Sequence, residues 1–200
     1  MTMRRGPLLG ACLWLSMASS GAAYAQFRPP PASEAERLTF AGDDALAEAS
    51  RLVAKKDKAG SQEVLKKAIT QYEKALAADP NAMSAAIGLA SAANALGDFT
   101  RASTVLTPFS LSHPESAEVA FPLGVALFKQ NRYPDAAVQF EKISGLKKPE
   151  HLLAHYYLAR YYLAQQRGPA ALAELKLYSE LRPPEVAGND YEIFALMGQG

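Results

Sequence analysis

Histidines are the side chains in this sequence best suited to chemistry. His151 and His155 are four positions apart, so on a helix both rings point the same way and could bind one metal ion. Glu150 adjoins them, but no third ligand stands out, and no phosphate loop, Gly-x-Ser-x-Gly turn or His-Glu-x-x-His pattern occurs. We therefore predict no enzyme, no catalytic residue, no metal and no cofactor. His155 is interpreted as a partly buried structural histidine.

Composition and charge narrow the class of protein further. Of the 200 residues, 49% are hydrophobic and 20% are charged, which is typical of a globular chain and not of a disordered one. The net charge is +1 and the pI is about 7.8, so nothing indicates a phosphate-neutralising surface, and we expect no nucleic acid partner. Cys12 is the single cysteine, which excludes a disulfide framework.

The first 25 residues have the three parts of a secretory signal peptide. Arg4 and Arg5 precede an apolar stretch too short to span a bilayer, and Ala23-Tyr24-Ala25 forms an Ala-x-Ala cleavage site. Cleavage after Ala25 would leave a chain without cysteine, which suits an oxidising compartment. We predict export to the bacterial periplasm or secretion. A buried N-terminal helix is the alternative.

A second alternative for this segment is lipidation. Leu9-Gly10-Ala11-Cys12 resembles a bacterial lipobox, although few apolar residues precede Cys12. We expect membrane association only if Cys12 is lipidated. Residues 26–42 follow as a predicted flexible linker, because Pro29-Pro30-Pro31 favours an extended chain.

The remainder of the chain repeats with a period of 34 or 35 residues. Three kinds of position recur in each unit: a small residue, a larger apolar residue four positions later, and a proline near the end of the unit. They are Ala68, Tyr72 and Pro80; Ala102, Leu106 and Pro114; Ala136, Phe140 and Pro149; and Ala171, Leu175 and Pro183. The spacing of the first two places them on one helical face, and the period indicates stacked structural repeats.

A further helix precedes this one in three of the units. Leu89-Ala90, Leu123-Gly124 and Leu158-Ala159 mark it, and turns containing Gly97, Asn131 and Gly168 separate the two helices. Glycine and asparagine suit a left-handed helix end. These residues resemble the tetratricopeptide repeat, a helix–turn–helix unit of 34 residues. The resemblance implies an all-α, right-handed α-solenoid with a C-terminal capping helix.

The resemblance divides the chain into segments. Three repeats occupy residues 81–183, a degenerate repeat or N-terminal cap occupies 43–80 with Lys55-Lys56 in the Leu-Gly place, and a capping helix occupies 184–200. A swapped or partner-bound helix is the alternative for 184–200. Pro108 and Pro122 fall inside predicted helices, so those helices either are kinked or are shorter than the pattern.

In this family the first helix of each unit lines a concave groove. Projecting that pattern onto this sequence predicts a partner-binding groove lined by Ile87, Asn94, Phe121, Val125, Phe128, Lys129, Tyr156 and Arg160. The Lys and Asn residues with which some members clamp a terminal carboxylate are missing at the matching positions. An apolar groove favours a helix or an extended peptide as the ligand. Filling by one of the chain's own termini is the alternative.

The resemblance implies an adaptor or scaffold that binds a protein or peptide in the bacterial cell envelope. Two alternatives stay open: a self-associating structural subunit of an envelope complex, and an enzyme-associated subunit with no catalytic site of its own. The tyrosine-rich stretch from Tyr156 to Tyr162 is interpreted as packing between the third unit, the fourth unit and the C-terminal helix, in preference to a binding hot spot.

Overall fold

Eight α-helices form four antiparallel hairpins in the computed structural model, which describes residues 31–145 and 152–181. The helices are α1 (Glu34–Ala54), α2 (Lys58–Ala78), α3 (Met83–Leu96), α4 (Phe99–Ser112), α5 (Ala117–Lys129), α6 (Tyr133–Ser144), α7 (Leu152–Ala164) and α8 (Gly168–Leu181). The predicted all-α class is confirmed. The predicted signal peptide, Cys12, His151 and the predicted capping helix lie outside the described residues.

The helices pack in the order of the chain. Each helix contacts the next, and α3 also contacts both α1 and α5. The first helices of successive hairpins therefore lie side by side, and α7 joins them where the Tyr157 ring contacts Phe128 of α5. We call α1, α3, α5 and α7 the first-helix wall. None of the described helices has the length and apolar character needed to cross a bilayer.

All four hairpin turns contain one residue with left-handed backbone geometry. Gly97 and Asn131 have φ angles of 84° and 62°, which confirms their predicted role at helix ends. In the fourth turn Gln166 takes this conformation, with φ of 58°, and not Gly168, which begins α8. The turn between α1 and α2 uses Lys56 in the same way.

The prediction that residues 26–42 form a flexible linker is wrong from Glu34 onward, because α1 begins there. Ser33 is the N-cap residue, and its hydroxyl accepts a hydrogen bond from the backbone N–H of Glu36 at 3.1 Å. The signal was present in the sequence as a Ser-x-x-Glu capping pattern, which often starts a helix. The prolines just before Ser33 favour an extended chain, and for that reason the segment was predicted to be a linker.

The first hairpin is longer than the others. Gly42 packs against the Tyr72 ring in the same way that Gly124 packs against the Phe140 ring. A Cβ atom at Gly42 would lie 2.5 Å from the Tyr72 ring, and one at Gly124 would lie 2.8 Å from the Phe140 ring. Thirty residues separate the first pair and sixteen separate the second, so the first hairpin has fourteen more residues. Seven fall on each arm, which is about two helical turns. Placing Lys55-Lys56 in the Leu-Gly position was therefore wrong, because Gly42 takes that role.

The prolines inside the repeats do not end their helices. α4 continues through Pro108 and α5 continues through Pro122. Pro122 is itself buried in the packing of α5, and its carbonyl oxygen accepts a hydrogen bond from Asn94 Nδ2 of α3 at 2.9 Å. This bond ties the second hairpin to the third beside the place where proline removes a bond from the helix.

Small residues permit the close approach of paired helices, as predicted. The repeated alanines are fully buried: Ala90, Ala102, Ala136, Ala159 and Ala171. Between them lie the large core side chains Tyr72, Leu106, Phe140 and Leu175. One hydrophobic cluster runs along the stack from Ala49 of α1 to Leu158 of α7.

Candidate partner-binding surface

Two neighbouring first helices bring an arginine between aromatic rings. Phe128 lies near the end of α5 and is 8% exposed, whereas Tyr156 and Arg160 lie one turn apart on α7 and are half-buried. The guanidinium carbon of Arg160 lies 5.3 Å from the Phe128 ring centroid and 5.6 Å from that of Tyr156. Both distances are within the range of cation–π attraction, so the arginine joins the third and fourth hairpins.

The rings behind this arginine form a rigid base. The Tyr157 ring stacks on that of Phe140 of α6 with the planes nearly parallel and the centroids 4.9 Å apart. The centroids of the Tyr157 and Phe128 rings are 5.0 Å apart. The ring centroids of Tyr156 and Tyr178 of α8 are 6.3 Å apart. These contacts confirm that the tyrosine-rich stretch packs between the third and fourth units. Such packing fixes the ring orientations before any partner arrives.

The same part of the wall keeps apolar surface open to solvent. Leu153, one turn before Tyr156 on α7, is 41% exposed. Phe121 and Val125 lie half-buried on one face of α5, and Phe121 meets the Phe140 ring edge-on at 6.1 Å. The aromatic patch is defined here as Phe121, Val125, Phe128, Leu153, Tyr156 and Arg160. Its residues come from α5 and α7, which meet at Phe128 and Arg160.

The other predicted groove residues lie apart from this patch or differ from it in character. Lys129 is exposed at the end of α5 and adds positive charge beside Phe128. Ile87 is half-buried on α3. Asn94 uses its amide nitrogen to bind the Pro122 carbonyl, and its Oδ1 atom is buried without a hydrogen-bond partner. Its amide therefore joins two hairpins, a role that sequence reasoning did not predict.

α1 contributes to the wall, and this was missed from the sequence. Asp43 follows Gly42 and accepts a hydrogen bond from the Tyr72 hydroxyl at 2.9 Å. A Cβ atom at Gly88 of α3 would lie 2.3 Å from the same Tyr72 ring. Tyr72 thus occupies a gap between two glycines on neighbouring first helices. The 34-residue period did not predict the role of Gly42, because the longer first hairpin places this glycine outside the repeat register.

His155 has the structural role expected of it, and its side chain is fully buried. Its Nδ1 atom lies 2.6 Å from Glu174 Oε2 on α8, and its Nε2 atom is buried without a hydrogen-bond partner. The pair fastens the two helices of the fourth hairpin. Across residues 31–145 and 152–181, no three His, Cys, Asp or Glu side chains lie close enough together to hold a metal ion.

Tyr162 links the fourth hairpin to the third on the side of α7 that faces α6. Its hydroxyl donates a hydrogen bond to Glu141 Oε1 at 2.9 Å, and Arg167 lies 4.7 Å from its ring centroid. Burial, followed by the hydrogen bond to Glu141, raises the pKa of Tyr162 to about 12. The neutral phenol is therefore the form that holds this contact.

The fold and the wall define a class of helical-hairpin repeat domains, and sequence comparison shows which family is present. The profile of the tetratricopeptide repeat matches residues 57–106, 95–144 and 121–185. The chain therefore belongs to the tetratricopeptide repeat family, whose domains are generally protein–protein interaction modules. The matched residues begin after α1, in agreement with the shifted position of Gly42.

Solved structures show the same fold at low sequence identity. TTC0263, a thermophilic tetratricopeptide repeat protein from Thermus thermophilus, is 19% identical with a TM-score of 0.58, and the match covers 80% of this chain and 84% of that one. The structure named MamA MSR-1 C2 is 22% identical, with a TM-score of 0.52 and coverage of 84% and 92%.

MamA 41-end from Desulfovibrio magneticus RS-1 is 16% identical with a TM-score of 0.51, and the match covers 76% of this chain and 97% of that one. At these identities the likeness supports the fold alone. A search of curated protein sequences gave no match.

Proposed function

We propose that the chain is an adaptor that binds a partner protein through the aromatic patch of its first-helix wall. The observation that carries the proposal is the partly exposed apolar surface on α5 and α7, in which Arg160 lies between Phe128 and Tyr156. Aromatic and arginine side chains on a packed base are typical of interface hot spots. The ligand would be a helix or extended segment that lays an apolar side along the wall.

A matched pair of variants tests this surface. Leu153→Glu places a charge in the patch, and Val138→Glu places the same charge on α6, where Val138 is 53% exposed outside the wall. Both residues are exposed, so both variants should fold. In cross-linked co-purification from cells, we expect Leu153→Glu to lower partner recovery about tenfold or more, and Val138→Glu to leave it unchanged. Equal recovery with the two variants would contradict the proposal.

Self-association through the same patch is tested with these variants. Light scattering of purified wild-type protein would show an oligomer that Leu153→Glu dissociates and Val138→Glu does not. A monomeric wild-type protein would exclude this alternative and leave the adaptor role in place.

We also propose that the adaptor acts in the bacterial cell envelope after export. The support is the pattern ending in Ala23-Tyr24-Ala25. N-terminal sequencing of the protein from fractionated cells tests it. We expect a chain that begins at Gln26 in the envelope or periplasmic fraction. An uncleaved chain in the cytoplasmic fraction would contradict export but not partner binding.

A further inference from the structure

The end of the longer first hairpin extends beyond the packed stack. α1 and α2 each have 21 residues, whereas the helices of the other hairpins have 12 to 14. Every residue from 53 to 59 is exposed, and among them Val53 is 50% exposed. The hairpin tip is defined here as residues 51–58. All of its residues except Leu52 are exposed.

The tip is basic, and its cations have no acidic partners in the described part of the chain. Arg51, Lys55, Lys56 and Lys58 are all exposed, and the structure gives none of them an ion pair there. By contrast, Lys66, further along α2, binds Glu63 at 2.8 Å. Asp57 is the single acid in the tip, and it accepts the Gly60 N–H as the N-cap of α2.

Helix stability accounts for only part of this charge pattern. Arg51 and Lys55 lie at the C-terminal end of α1, where the helix dipole favours positive charge. Lys58 is the first residue of α2, where the dipole disfavours positive charge, and the first turn of α2 contains no acidic residue. Asp57, the N-cap residue, supplies the negative charge that this helix end favours, and Lys58 opposes it, so Lys58 adds nothing to the stability of the helix.

We propose that the hairpin tip binds the surface of a bilayer that contains anionic lipids. The tip has only eight residues, whereas a protein interface of standard size takes about 20 to 30 residues from each side. A bilayer needs no such area, because each basic side chain near an anionic surface strengthens binding by about fivefold. Val53 would enter the headgroup region beside Lys55 and Lys56. This inference is independent of the aromatic patch.

Vesicle sedimentation of the full chain tests the proposal. The probes are vesicles of phosphatidylcholine alone and vesicles with about 30% phosphatidylglycerol, at low salt and at about 0.5 M NaCl. We expect binding to the anionic vesicles at low salt, and its loss at high salt. Lys55→Glu combined with Lys56→Glu should weaken that binding about tenfold or more.

The control reverses the same number of charges on α2, outside the tip. Lys67 and Lys74 are exposed there, away from the tip, and Lys67→Glu with Lys74→Glu gives the same net charge. All three proteins share one N-terminal sequence, so its apolar stretch contributes equally. We expect the control to bind within about threefold of wild type.

Three results would overturn the proposal. One is equal binding of wild-type protein to neutral and anionic vesicles. Another is an equal loss of binding in the tip variant and in the control. The third is failure of anionic vesicles to bind wild-type protein at low salt, which would favour an acidic protein as the partner of the tip.

Discussion

At the scale of single residues, Tyr162 shows how a half-buried side chain affects the response of stability to pH. Its phenol donates to Glu141 across the boundary between the third and fourth hairpins. The folded chain holds the pKa at about 12, above the value of 10.0 for an ordinary tyrosine. The contact therefore stabilises the fold fully below pH 10, and this contribution is lost as the pH rises from 10 to 12, because the unfolded chain ionises first.

We predict that Tyr162→Phe makes the free energy of unfolding less dependent on pH above about 10. Phenylalanine cannot ionise, so the variant should lose stability less steeply than wild type between about pH 10 and 11. Urea unfolding at about pH 8, 10 and 11 measures this. The lost hydrogen bond would lower stability by about 1 kcal/mol below about pH 10, and this deficit should shrink at higher pH, so the difference in slope tests the pKa. Parallel curves would contradict the prediction.

Other residues had roles that their types did not reveal. Asn94 and Arg160 were both predicted to face a ligand. Asn94 uses its amide nitrogen to bind the Pro122 carbonyl, and Arg160 lies between the Phe128 and Tyr156 rings. A repeat pattern predicts which way a side chain points. It cannot predict which neighbouring atom the side chain reaches, because that depends on the offset between hairpins.

At the scale of elements, the distance between paired helices depends on a few small residues. Gly124 of α5 faces Phe140 of α6, and a Cβ atom there would lie 2.8 Å from the ring. The ring is held by Tyr157 and Phe121, so it cannot easily move away. A methyl group at this position would force α5 and α6 apart.

We predict that Gly124→Ala lowers the free energy of unfolding by about 1 to 3 kcal/mol. The control is Gly145→Ala, because a Cβ atom at Gly145 would meet no atom of residues 31–145 or 152–181 within 4 Å and its φ of −60° suits alanine. That change should be neutral or stabilise slightly. Thermal unfolding followed by circular dichroism compares the two variants. Similar melting temperatures would mean that the helix contact is looser than the structure shows.

The longer first hairpin shows why the register of its first helix was mispredicted. The period of 34 residues places Lys55-Lys56 where Leu-Gly belongs, yet those lysines form the exposed turn. Seven added residues on each arm leave the helical faces nearly aligned, because seven residues are close to two full turns. Gly42 can therefore pack against Tyr72 as Gly124 packs against Phe140 in the third hairpin. The extra residues can be recognised only from the structure, where Gly42 on one helix is seen to pair with Tyr72 on the other.

At the scale of the whole molecule, each hairpin contacts chiefly its neighbours in sequence. The stability of such a stack is close to a sum of unit and neighbour terms, so damage to one unit should stay local. α1 and α2 form the hairpin furthest from the third unit within the described residues.

We predict that Gly124→Ala speeds amide hydrogen exchange in α5, α6 and α7 and leaves α1 and α2 unchanged. Hydrogen exchange followed by mass spectrometry resolves the helices as separate peptides. An equal increase along all helices would mean that the stack unfolds as one cooperative unit.

The sequence alone determined the family, the all-α class, the pairing of helices within units two to four, and the small residues between them. These follow from local spacing, because a helix repeats every 3.6 residues and each unit repeats the same contacts. Tertiary structure decided which predicted surface residues meet. It placed Arg160 between Phe128 and Tyr156, turned Asn94 toward Pro122, and moved the first hairpin's close contact to Gly42. Those outcomes depend on distances between helices, which no spacing within one helix contains.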